Sequence, residues 1–204
     1  MVFVEDDPRY RAGPQPSGRP PAPGRLGLVQ AWVNSFWDLE GDGSERWPDP
    51  AALAGWLHAR GFTGARPDAG DLADALALRE ALRAALLAHH AGGEDPAAAA
   101  QLDRVARLRA PRARLVPRFA AAGARIDTDG DDVDAAIGLV LAVVAEARAD
   151  GTWERLKACP HAHCGWAFYD ASRNRSSQWC SMRICGNRTK GERFRRRNLK
   201  PEPR

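Results

Sequence analysis

Four cysteines, Cys159, Cys164, Cys180 and Cys185, crowd into 27 residues of a 204-residue chain that holds no others. The pattern is C-x4-C, fifteen residues, then C-x4-C. Two close pairs separated by a short excursion are the arithmetic of a tetrahedral zinc site: each pair sits on a tight turn, and the loop between them brings the second pair back to the ion. Two disulfides are the competing reading. The opening residues Met1 to Pro8 hold three acids and no apolar core, so no secretory signal is expected. In a reducing cytoplasm disulfides are then disfavoured. Four thiolates close the coordination sphere against water. The expectation is one structural Zn2+, whose binding energy is folding energy for the module around it.

The surroundings of the ligands sharpen this. His161 and His163 lie inside the first gap as alternative donors, but with four thiolates available both are expected to be exposed loop residues. Gly165 and Gly186 each follow the second thiolate of a pair, where positive φ would turn backbone N–H groups toward sulfur. Trp153, Trp166, Phe168 and Trp179 would give apolar cover to a module too small to build a core otherwise. Phe168 to Asn174 reads as a short strand and a turn. The proline-free stretch Asn187 to Asn198 reads as a helix, weakened by about 1 kcal/mol at Gly191.

Charge divides the chain at the same place. From Gly151 to Arg204 there are 13 Lys plus Arg against 4 Asp plus Glu, a net of +9; the rest carries 17 against 22, a net of −5. An acidic body with a basic end suggests that the end meets a polyanion. Arg and Lys neutralise phosphates, Arg can fork onto guanine, and Asn onto adenine. The candidates for contact with double-stranded DNA are Arg173, Asn174 and Arg175 between the cysteine pairs, Arg183 in the second pair, and Asn187, Arg188, Lys190, Arg193, Arg195, Arg196 and Arg197 beyond. Asn187 could equally cap the following helix. The spacing does not sort base contacts from phosphate contacts.

The strings Arg155 to Pro160, Cys164 to Asp170, Trp179 to Met182 and Cys185-Gly186-Asn187-Arg188 closely resemble the CGNR zinc-finger family, over about Trp153 to Arg197. The resemblance implies a bacterial DNA-binding module at the C-terminus of a one-component regulator, with the four cysteines as its zinc ligands.

Residues 1–25 hold six prolines and three glycines among polar residues and read as a flexible tail. The ordered body is expected over 26–150 and the finger over 151–200. Leu26 to Ser35 is dense enough in apolar residues for a buried helix or strand. Helices are expected at Ala51 to Arg60, Asp71 to Ala91, Pro96 to Arg109 and from Asp131-Asp132 onward. Arg114 to Phe119 and Ala124 to Thr128 read as two short strands joined through Gly123, with Pro117 on an edge. The fold class is therefore mainly α with a small β element, followed by a small zinc-stabilised finger. Val33-Asn34-Ser35, Trp56-Leu57 and Leu78 to Arg83 resemble the ABATE domain, which implies a stress-induced transcription regulator with an N-terminal sensing domain.

On the long helix Arg79 and Arg83 share the apolar face of Leu72, Leu76, Leu82 and Leu86. They must find a carboxylate, carbonyls or an anionic ligand. With Asn34 they could anchor a small acidic effector; the alternatives are an internal salt bridge or a side chain that snorkels past the leucines. His58, His89 and His90 are scattered and read as surface or packing residues. At 44% hydrophobic and 27% charged residues the chain is not disordered throughout. Its longest apolar run, Ala135 to Ala145, falls short of the roughly 20 residues of a membrane helix. The expectation is a cytoplasmic regulator, not an enzyme, for no phosphate loop, H-E-x-x-H or nucleophile elbow is present. A homodimer would suit palindromic operators. A protein-binding adaptor, or an enzyme delivered to nucleic acid by its finger, are the alternatives.

Overall fold

The computed structural model describes residues 7–38, 43–120 and 123–198. Six helices, α1 (Leu26–Val33), α2 (Pro50–His58), α3 (Ala69–Ala88), α4 (Pro96–Arg109), α5 (Val133–Asp150) and α6 (Asn187–Asn198), are interleaved with strands β1 (Phe36–Trp37), β2 (Ser44–Glu45), β3 (Leu115–Ala120), β4 (Gly123–Thr128), β5 (Leu156–Ala158) and β6 (Ala167–Tyr169). The strands form three antiparallel pairs, β1–β2, β3–β4 and β5–β6. The mainly helical class with small β elements is what the structure shows. Among the described residues no helix is long and apolar enough to cross a membrane.

Helix starts follow their caps. The Asp49, Asp95 and Asp132 side chains accept from backbone N–H groups of α2, α4 and α5, and Pro opens α2 and α4. Asp68 and Asp71 form a reciprocal capping box at the start of α3. Gly151, at φ +75, stops α5. The stretch that reads as helix or strand is a helix: all eight residues of α1 are buried. It lies against α3 and α5, whose Leu78, Leu82, Leu86, Ile137, Leu139 and Val140 have no exposed surface. Trp32, Trp47 and Trp56 pack edge to face beside them, with centroids 5.0–5.4 Å apart. Arg109 ties three helices together, donating to Asp71 and Asp74 of α3 and Asp134 of α5.

The N-terminal segment corrects the reading of a flexible tail. Residues 1–6 lie outside the described residues, but 7–25 form a strap fixed to the body and to the module. Tyr10 is buried, and a Cβ on Gly27 would overlap its carbonyl oxygen. Arg9 bonds Asp127, and Arg25 makes a two-pronged pair with Glu146. The Ala22 N–H donates to the buried Gln30 side chain. Proline and glycine limit helix and sheet here, but a few anchoring side chains suffice to hold an irregular segment.

Candidate metal centre and nucleic-acid interface

β5 leads into Cys159, whose N–H donates to Trp166 O (2.9 Å), while Cys164 N–H donates to His161 O (3.0 Å). These bonds close the first turn. Gly165 follows at φ +61, a conformation glycine adopts without cost. In the second turn the Ser181 hydroxyl accepts from Ile184 N–H, and a π-helical turn, Met182–Gly186, carries Cys185 into α6. Gly186 is not in the left-handed region expected of it. A Cβ there would press on Met182 Sδ, the end of a half-exposed side chain that can turn aside, and crowd Trp179.

All four Sγ atoms lie within 4.8 Å of one another and all four cysteines are buried. Neighbouring sulfurs sit 3.6 Å apart, far beyond a disulfide's roughly 2.05 Å. A tetrahedral Zn2+ with bonds of about 2.3 Å would set its sulfurs about 3.8 Å apart, so the donor set fits one zinc ion and closes around it. Phe168 is fully buried against the sulfurs, with Trp166, Trp179 and Ile184 packed on them. Trp153 is a correction: it belongs to the core of the body, its ring edge-on to His89 at 5.2 Å. His161 is another. It is buried, with Nε2 3.5 Å from Glu192 Oε1 of α6, whereas His163 is exposed as expected.

Between the pairs, a buried ion pair organises the loop. Lys157 Nζ donates to Asp170 Oδ2 (2.9 Å) and to Arg175 O (2.6 Å). Asp170 also accepts from Ser172 N and Oγ and from Ser177 N. Burial acts to raise the Asp170 carboxyl, but the bonds from Ser172, Lys157 and Ser177 outweigh it and hold the group well below the usual carboxylate range. The loop so fixed presents Arg173, Asn174 and Arg175 exposed, with Arg175 at φ +50. Arg183, Asn187, Arg188, Lys190, Arg193 and Arg195 to Arg197 are exposed on the second turn and along α6. Asn187 Nδ2 donates to Arg183 O.

The body grips this module through its backbone. Asn34 accepts from Ala167 N–H (2.7 Å) and donates to Ala167 O (3.0 Å), and Gln30 donates to the same carbonyl. His89 Nδ1 and His90 Nε2 each lie 2.7 Å from a β5 carbonyl, those of Leu156 and Ala158. Carbonyls only accept, so both nitrogens carry the proton. From the strap, Arg19 donates to Tyr169 O, Trp179 O and Cys180 O and lies over the Phe168 ring. Histidines read as surface or packing groups thus act as donors across the junction; only their adjacency at the end of a long helix was visible in sequence.

For Arg79, Arg83 and Asn34 the structure fills the internal alternative. Arg79 forks onto Glu45 (2.7 and 2.8 Å) and bonds Glu80 and Ser35. Arg83 donates to Glu80 and to the carbonyls of Val33, Phe36 and Gly165. Burial draws the Arg83 guanidinium below its ordinary pKa, against the pull of Glu80.

The family model described as CGNR zinc finger matches residues 155–198. The ABATE model, described as putative stress-induced transcription regulator, matches residues 17–151. No curated protein matches the chain.

Proposed function

This chain belongs to the ABATE family and carries a CGNR zinc finger, and on that premise we propose that it is a bacterial transcription regulator that holds double-stranded DNA through its C-terminal module. The observation that carries the reading is the direct attachment of α6 to the metal centre. The π-helical turn that carries Cys185 runs directly into α6, and Glu192 of α6 faces His161 of the first turn. The ion that gathers the sulfurs therefore also sets the direction in which Lys190, Arg193, Arg195, Arg196 and Arg197 leave the surface. The loop organised by Asp170 adds Arg173, Asn174 and Arg175 from the same module. Their guanidinium and amide groups suit phosphate neutralisation and base-edge contacts.

In this reading zinc is structural and no residue carries out catalysis. The body is the sensing part, working in the cytoplasm. Its grip on the β5–β6 backbone through Asn34, Arg83, His89 and His90 is the route by which an effector held there would alter the presentation of α6.

The test is retention of zinc-loaded protein on duplex DNA over a range of salt. Affinity falls steeply with salt, and replacing Arg195, Arg196 and Arg197 by Ala makes the log–log slope shallower by about 0.9 for each phosphate no longer neutralised. Retention indifferent to both salt and substitution would favour a protein-binding adaptor and overturn the proposal.

A further inference from the structure

Phe194 is 59% exposed in the middle of α6, a helix otherwise made almost wholly of charged and polar groups. Leaving that much ring in water forgoes the burial that places most large apolar side chains. Its side of the helix is fixed by the contact made on the other side. Glu192 lies 3.5 Å from the buried His161 of the first cysteine turn. At 100° per residue, Phe194 lies about 160° from Glu192. The ring therefore points away from the metal centre. Lys190, one turn earlier, and Arg197, three residues later, flank it, and Gly191 has no side chain to cover it. Together with Arg193 and Arg196 these residues line one groove along the helix.

The charge decides what fits there. A second copy of this face would set Lys190, Arg193, Arg196 and Arg197 against their own counterparts, and like charges so juxtaposed repel. A DNA duplex satisfies both requirements: its phosphates pair with the flanking cations, and the floor of its major groove offers one apolar feature, the C5-methyl of thymine. We propose that Phe194 is a specificity-determining residue that packs on a thymine methyl group, giving α6 a preference for an A·T pair at one position. The proposal rests on the DNA-binding reading above.

The experiment takes the duplexes retained most tightly from a random pool by the zinc-loaded full chain. Each is resynthesised with deoxyuridine in place of thymidine, which removes only the methyl groups. Wild-type affinity should fall about fourfold, the value of burying one methyl-sized group. Phe194→Ala should bind the thymidine duplex about that much more weakly and show no further loss with deoxyuridine, with its salt slope unchanged. Phe194→Leu should keep part of the discrimination. A Phe194→Ala protein that still discriminates thymidine, a wild type that does not, or a change of oligomeric mass as its main effect would overturn the assignment. Absence of salt-sensitive retention of any duplex by the wild type would instead defeat the DNA-binding reading itself.

Discussion

The body and the C-terminal module reach order by different means. In the body, apolar side chains from α1, α2, α3 and α5 meet over a continuous interior that includes Trp32, Leu53, Leu57, Leu78, Leu82 and Ile137. In the module, the buried cluster at the sulfurs comprises Phe168 and the four cysteines, and the strands β5 and β6 turn Leu156, Ala158 and Ala167 into the interior of the body instead. One region is held by area removed from water. The other is held by an ion, a buried salt bridge and bonds borrowed from the body. A region stabilised by area fails gradually as side chains are trimmed; a region stabilised by an ion fails when the ion leaves.

The largest effect should follow from breaking that ion site. Chelation, or Cys185→Ser, removes binding energy on the order of 10 kcal/mol. Amides of residues 159–186 should then exchange freely while helical circular dichroism from the body persists. Simultaneous loss of both signals would show that the two regions fold as one unit. Next comes Asp170→Asn, which leaves the Lys157 ammonium buried beside a neutral amide. Breaking a buried pair in this way costs about 3–5 kcal/mol, read as a lowered midpoint in denaturant. The same residue sets an acid limit. Its folded-state pKa is depressed, so its stabilisation is present above the ordinary carboxylate range and is lost as pH falls through and below that range. The variant should lose that part of the acid sensitivity.

Arg83→Ala probes the junction. It strands carbonyls of Val33, Phe36 and Gly165 at once, for a loss of about 3 kcal/mol, and should weaken zinc retention as well as the thermal midpoint. A body destabilised with zinc affinity untouched would separate the two regions more sharply than the structure does. The smallest effect belongs to His89. Burial lowers its pKa, so the folded state takes up a proton less readily than the unfolded chain. Stability is full above about pH 6.5, the ordinary imidazole value, and declines as pH falls below it. His89→Gln should flatten the decline between about pH 7 and 5.5, measured by urea titration.

Much of this comparison could be read from residues in order. Asp95-Pro96 and the charged last turn set both ends of α4, Pro117 and Gly123 marked the β3–β4 hairpin, and the cysteine spacing announced the ion. Those are local signals. Asn34, His89 and His90 were opaque because their partners are backbone atoms far along the chain, and a carbonyl has no sequence signature. Gly186 was misread for a different reason: its φ is ordinary, and the π-helical turn that brings Met182 and Trp179 against it has no signature in the residue itself. Trp153 sits only six residues from Cys159, yet the 3-10 turn Trp153–Arg155 directs it to the body. The β1–β2 pairing escaped notice because two-residue strands carry too little pattern to detect.

The strap that crosses the second cysteine turn has a consequence for synthesis. Arg19 and Ser17 find their partners, Trp179, Cys180 and Ser181, about 160 positions later. At roughly 5–20 residues per second, a ribosome needs on the order of ten to thirty seconds to deliver them. Through that interval the Pro16–Arg19 segment lacks these partners, though Tyr10 and Ala22 on either side of it can already dock on α1, and it settles last. Protection of the Pro16–Arg19 segment from a protease during translation would therefore time the arrival and closure of the second cysteine turn.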